Sequence, residues 1–116
     1  MVSVFYVHWN EAEARERALG LRQSKFRVRV HWKTESPPRF RSGALPDVFV
    51  ISLDRLPSHG RAIAEWVWEA KSRYQIPIIF AGGAADKVNA TRARFPGASY
   101  CTTGGEVAAL RRLFPG

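Results

Sequence analysis

Five short β-like runs, each followed by a polar or helix-patterned segment, constrain the fold of this chain more than any other feature. They are Val2–Val7, the alternating stretch Phe26–His31, Val48–Leu53, Ile76–Phe80 and Ala98–Thr102. Runs of this length that are apolar at nearly every position suit strands covered on both faces, and strands alternating with helical patterns build parallel sheets. Phe26, Val28 and Val30 instead alternate with Arg27, Arg29 and His31, the period of a half-exposed strand at a sheet edge.

The intervening segments read as five helical stretches. Asn10 with Glu13 three positions on forms a capping box that opens the first, in which Ala14, Ala18 and Leu21 share a face. Lys33–Leu45 contains Pro37 and Pro38, and its weak periodicity supports only a short or irregular second helix. Ser58 is placed to cap the third, with Ile63, Val67, Ala70 and Tyr74 facing inward. Asp86 opens a fourth that stops near Phe95, before Pro96 and Gly97, and Thr103 with Glu106 repeats the capping box before the fifth. The expected architecture is one domain over residues 1–116: α/β, with a flavodoxin-like, three-layer, doubly wound parallel sheet of five strands in order 2-1-3-4-5.

Charge narrows the partners rather than the fold. Of 18 basic and 10 acidic residues, 10 and 6 fall in residues 1–60 and 8 and 4 in residues 61–116, so the net +8 is evenly spread. That favours general attraction to anions over a single dedicated stripe. The densest basic region surrounds Arg27 and Arg29, with Lys25, Lys33, Arg39 and Arg41 nearby. Together with Trp32 and Phe40 it could grip a nucleic-acid backbone, although edge strands also carry charge simply to block unwanted pairing. No apolar run approaches the roughly 18–20 residues of a membrane span, so no membrane partner is expected. A lone Cys101 and a start that reads as a strand point to a cytoplasmic protein, with the thiol buried and inert.

Chemistry is expected where a central strand ends. Val48–Ile51 runs into Ser52 and Asp54, and a Leu56-Pro57 turn leads to Gly60. The order of fragments resembles that of response-regulator receiver domains, the phospho-acceptor modules of bacterial two-component signalling. Val7-His8-Trp9-Asn10-Glu11-Ala12 matches the approach to the first helix, and Pro46-Asp47 the lead-in to the acceptor strand. Leu56-Pro57 and Gly60 match the loop after it, with one extra residue after Ser52. Ile76-Pro77-Ile78-Ile79 matches the fourth strand and Gly97-Ala98 the approach to the fifth.

By that resemblance the acidic pair that holds Mg²⁺ falls on His8 and Trp9, the acceptor aspartate on Ser52, the hydroxyl after strand four on Gly82, and the phosphate-pairing lysine on Thr103. With Asp54 as a solvated loop acid paired to Arg55 or Arg61, or alternatively a displaced acceptor, these six positions form a degenerate phospho-acceptor pocket. The expectation is a pseudo-receiver that needs no cofactor or metal, has no catalytic residue, and acts as a regulatory module on a protein partner or as a homodimer. A basic nucleic-acid-associated protein is the alternative, and a small enzyme using Ser52, Asp54 and His8 the third reading.

Two further features complete the list of candidates. Trp66 and Trp68 lie about 200° apart around the third helix, so they cannot both face the sheet. Trp68 is expected to point largely outward as a contact anchor, with Trp66 at the margin. Ala81-Gly82-Gly83-Ala84-Ala85 reads as a tight turn needing glycine, or as small residues that let an anion reach backbone N–H groups.

Overall fold

The computed structural model describes residues 1–32, 45–54 and 57–115, with the side chains of residues 57–59 outside that description. Its elements are β1 Ser3–Val7, α1 Glu11–Gln23, β2 Arg27–His31, β3 Val48–Ser52, α2 Pro57–Glu69, β4 Ile78–Ala81, α3 Ala85–Arg94, β5 Ser99–Cys101 and α4 Glu106–Leu113. All five strands pair in parallel in the order β2-β1-β3-β4-β5, as the alternation of the sequence anticipates. The second helical stretch expected within Lys33–Leu45 falls almost wholly outside the described residues.

Strand alternation divides the interior into two layers. Val4, Tyr6, Val28, Val48, Val50 and Ile79 face Ala18 and Leu21 of α1 and Ala109 and Leu110 of α4. Phe5, Val7, Phe49, Ile51, Ile78 and Phe80 face Ile63, Ala64 and Val67 of α2 and Phe95 just beyond α3. The central strand β3 is therefore buried at every residue, which is why it reads as an uninterrupted apolar run. With β2 at one edge of the sheet, Arg27 and Arg29 are exposed while Val28 is buried.

Local signals set the ends of α1. Asn10 is extended and its Oδ1 accepts the Glu13 N–H at 3.0 Å, a cap worth about 1 kcal/mol. At the other end Lys25 N–H donates to the Arg22 carbonyl and Phe26 N–H to the Leu21 carbonyl, with Lys25 at φ +71°. That is a Schellman closure carrying a lysine where glycine is usual, and its companion hydrophobic contact is present because Leu21 and Phe26 share one core layer.

Four expectations are corrected. Strand β4 begins at Ile78 rather than Ile76, because the Pro77 carbonyl still accepts the Phe49 N–H but proline has no N–H of its own to return. Ser58 lies inside α2, which starts at Pro57, the residue type suited to a first helical turn. Tyr74 does not face inward: α2 ends at Glu69, and the tyrosine is 53% exposed in the following turns. The capping box at Thr103 and Glu106 does not form, since α4 begins at Glu106 itself with Gly105 as its N-cap and no side-chain bond there.

Candidate functional site

The carboxyl ends of β1, β3, β4 and β5 meet at one edge of the sheet, and the sequence-derived candidates separate there into two groups. His8, directly after β1, is only 2% exposed, and its Nε2 lies 2.6 Å from the Glu13 carboxylate. Its ring stacks near Tyr6, and its buried Nδ1 has no partner among the described residues. Trp9 turns toward His31, edge to face at 6.0 Å, and packs against the α2/α3 layer. The pair expected at the pocket thus contributes to packing on the two sides of β1, His8 toward α1 and Trp9 toward the α2/α3 layer, and neither side chain offers an oxygen.

Asp54, Gly82 and Thr103 do come together. Thr103 Oγ1 donates to Asp54 Oδ2 at 2.7 Å, and the Gly83 N–H donates to Asp54 Oδ1 at 2.9 Å. The Asp54 amide donates back to Ser52 Oγ at 3.2 Å. Ser52 is 1% exposed, at the last position of β3, whereas Asp54 is exposed. Two positions apart, the two differ in exposure because β3 stops at Ser52 and Asp54 lies beyond it. Asp54 is also no loop acid paired to Arg61, whose guanidinium instead reaches Thr91 Oγ1; Arg55 lies outside the described residues.

Glycine makes this arrangement possible. Gly82 and Gly83 have φ of +72° and +95°, a conformation costly to any residue with a Cβ. A methyl at Gly82 would fall 2.6 Å from Asp54 Cγ and 2.5 Å from Thr103 Oγ1. The turn therefore has the glycine requirement expected of it, and its Gly83 N–H is taken by the chain's own Asp54.

A cavity of about 540 Å³ opens beside the carboxylate, lined by Asp54, Gly82, Gly83, Val88, Tyr100 and Thr103. Arg92 also lines it, with its guanidinium 4.7 Å over the Tyr100 ring. The Tyr100 hydroxyl donates to the Phe95 carbonyl, and its ring stacks on Phe80. Cys101, expected to be buried, is half-buried on the same wall. Burial, with the negative charge of Glu106 beside it, pushes its thiol up to about 11, so it is a weak nucleophile at neutral pH. Burial likewise raises the Tyr6 phenol above its ordinary value, with Glu106 adding to the effect.

These residues do not fit a magnesium ion. That cation takes several oxygen ligands in near-octahedral geometry, and Asp54 is a single carboxylate with a donor on each oxygen. Among the described residues no three His, Cys, Asp or Glu side chains gather where they could share a metal. The Ser/His/Asp set is not assembled either: His8 is bonded to Glu13, and the Ser52 hydroxyl accepts from the Asp54 backbone.

Sequence reasoning missed the partners of the tryptophans. Trp68, expected to point outward, is half-buried because its Nε1–H donates to the Ile76 carbonyl at 3.0 Å and its ring packs 5.7 Å from Phe95. Trp66 is covered on one face by Arg73, 3.8 Å from its centroid, which also donates to the Trp66 carbonyl. At the edge strand, Trp32 lies beneath the Arg15 guanidinium at 5.0 Å; Lys33, Arg39, Phe40 and Arg41 are outside the described residues, as is the side chain of His59.

No protein-family model matches this sequence, and no curated protein matches it. Solved structures do match. The receiver domain of a signal transduction histidine kinase from Syntrophus aciditrophicus superposes with a TM-score of 0.72 at 18% identity, over 97% of this chain and 86% of that one. The receiver domain of a DNA-binding response regulator from Colwellia psychrerythraea gives 0.72 at 16% identity over 100% of both chains. The non-phosphorylated HemR receiver domain of Leptospira biflexa gives 0.63 at 24% identity, over 89% and 82%. The chain therefore has the flavodoxin-like fold of response-regulator receiver domains.

Proposed function

We propose that this chain, as one domain, is a receiver-like regulatory module of bacterial signalling that works in the cytoplasm by contact with a protein partner and is not phosphorylated by the aspartate route. The observation that carries the reading is the end of β3. A buried serine stands at its last position, and the nearby Asp54 carboxylate already accepts hydrogen bonds from two other loops. A serine hydroxyl cannot form an acyl phosphate. His8 and Trp9, which stand where the resemblance expects acids, offer no carboxylate to a divalent ion. Trp66 with Arg73, together with the exposed Arg27 and Arg29, are the contact groups this reading offers to a partner, a second copy included. Trp68 supports that helix from beneath through Phe95.

The test is an NMR titration with Mg²⁺ and beryllofluoride, followed by incubation with acetyl phosphate and intact-mass measurement. The expected result is no shift at Ser52, Asp54 or Thr103 and no phosphate adduct. A saturable shift abolished by Asp54→Asn would overturn the proposal. The exposed Arg27 and Arg29 on an edge strand of a chain with net charge +8 favour one second reading, nucleic-acid association. It requires retention on single- or double-stranded DNA or RNA that weakens steeply with salt and with substitution of both arginines.

A further inference from the structure

Asp54 joins three loops that belong to three different strands. It leaves the end of β3, takes the Gly83 N–H from the β4–α3 turn, and takes the Thr103 hydroxyl from the β5–α4 turn. Its own N–H returns to Ser52 inside β3, which fixes the direction in which the carboxylate leaves the strand. Left-handed glycines stand at both donors: Gly82 and the donor Gly83 itself on one side, and Gly104, next to Thr103, at φ +92° on the other. Backbone that only glycine adopts readily is thus spent on bringing two donors to one carboxylate. A methyl at Gly82 would displace that carboxylate.

We propose that Asp54 is a built-in anion that clasps the β4–α3 and β5–α4 turns onto β3 and holds this end of the domain in one permanently set conformation. The inference rests on the phosphorylation-independent reading and deepens it by assigning the regulation of the same site. An incoming anion would have to collect these two donors to draw the turns together; here a side chain of the chain itself has already done so. A hydrogen bond to an ionised acceptor is stronger than a neutral one, and one acceptor shared by two loops restrains both at once. The clasped residues form the rim of the cavity beside Tyr100 and Arg92, so its shape is set in the resting protein. Output then follows from how much partner is present, not from a covalent change at this end of the sheet.

The experiment measures loop motion in the full chain by NMR relaxation dispersion and amide exchange, for wild type, Asp54→Ala, Asp54→Asn and Thr103→Val. Wild type should give flat dispersion profiles at residues 82–84 and 102–105. Asp54→Ala should introduce microsecond-to-millisecond exchange in both turns and speed exchange of the Gly83 amide about tenfold, with β1 and β3 amides unchanged. Asp54→Asn, which keeps an acceptor oxygen but no charge, should fall between them. Thr103→Val serves if Asp54→Ala does not fold, and should loosen residues 102–105 more than residues 82–84. Unchanged profiles in the variants, or wild type already as mobile as Asp54→Ala, would overturn the clasp. The beryllofluoride titration fails or succeeds independently: binding there would remove the phosphorylation-independent reading while the variants still report on the clasp.

Discussion

Replacing Gly82 by alanine tests the clasp through energetics, because its cost depends on what Asp54 is doing. Two effects combine in the single variant. A Cβ at φ +72° costs about 1–2 kcal/mol relative to glycine. The same methyl would overlap the Asp54 carboxylate and crowd the Thr103 hydroxyl, so the two hydrogen bonds must be given up. Such bonds to an ionised acceptor are worth about 1.5–3 kcal/mol each when sheltered; at an exposed carboxylate about 0.5–1 each is appropriate. Gly82→Ala should therefore destabilise by about 2–4 kcal/mol, and Asp54→Ala by about 1–2 kcal/mol through the same lost bonds. In the double variant the bonds are lost only once and the overlap disappears, leaving about 2–4 kcal/mol in total against an additive sum of about 3–6. Urea unfolding followed by tryptophan fluorescence and circular dichroism, with matching m-values, gives all four corners of the cycle. The expected coupling of about 1–2 kcal/mol exceeds the roughly 0.5 kcal/mol scatter of independent sites. Additive costs within that scatter would refute the reasoning.

Lys25→Gly should stabilise the protein by about 0.5–1 kcal/mol, since the left-handed C-terminal residue of α1 would lose its Cβ penalty; thermal unfolding should move up by about 2–5 °C. Trp68→Phe should cost about 1 kcal/mol by leaving the Ile76 carbonyl without its indole donor while keeping the ring against Phe95, a difference read from the urea midpoint. Cys101 should alkylate with iodoacetamide at pH 8 about 100-fold more slowly in the native protein than in urea, because its thiol lies near 11 rather than 9. The native state thereby keeps a proton that the unfolded chain releases, so this contribution to stability is complete below about pH 9 and is lost as pH rises through about 11. Urea midpoints at pH 8, 9.5 and 11 should show the fall, and Cys101→Ser should reduce it.

Where side-chain pattern alone decides structure, the sequence was readable. Val48 to Ile51 is apolar without a break because both faces of β3 are covered, and Arg27 and Arg29 alternate with buried neighbours because β2 lies at an edge. Strand order followed from the same alternation of strands and helices. The site was less legible, for reasons that lie in backbone geometry. Whether Asp54 continues the strand or leaves it depends on β3 ending at Ser52, which no periodicity marks. Thr103 has the spacing of a helix cap, yet α4 starts two residues later than that cap implies, behind Gly105, and the Thr103 hydroxyl donates to Asp54, 49 residues earlier in the chain. A helical wheel turns Trp68 outward, but α2 stops at Glu69 and the returning chain brings the Ile76 carbonyl to the indole. In each case a long-range partner outweighed a local rule.

The placement of one carboxylate separates a reactive site from a latch. Leu53 carries the β3 ladder one step past the strand by donating its N–H to the Ala81 carbonyl, and its side chain is buried in the α2/α3 layer. Ser52 therefore packs inward at the strand's end, and the next free position for a polar side chain is Asp54, beyond the region where the strands hold backbone and side chains rigidly. At Ser52 itself a carboxylate would be almost wholly buried, and an isolated charge there would need either a metal or a basic partner to offset its desolvation. His8 is turned to Glu13 and Thr103 carries no charge, so neither of these two would offset it. At Asp54 the carboxylate stays in contact with water, needs no counter-ion, and finds its two donors on turns that glycine has opened toward it. A neutral side chain at the buried strand end and a carboxylate in the solvated turn beyond it are thus physically consistent with each other. An anion at this end of the sheet is best held where solvent shares the load.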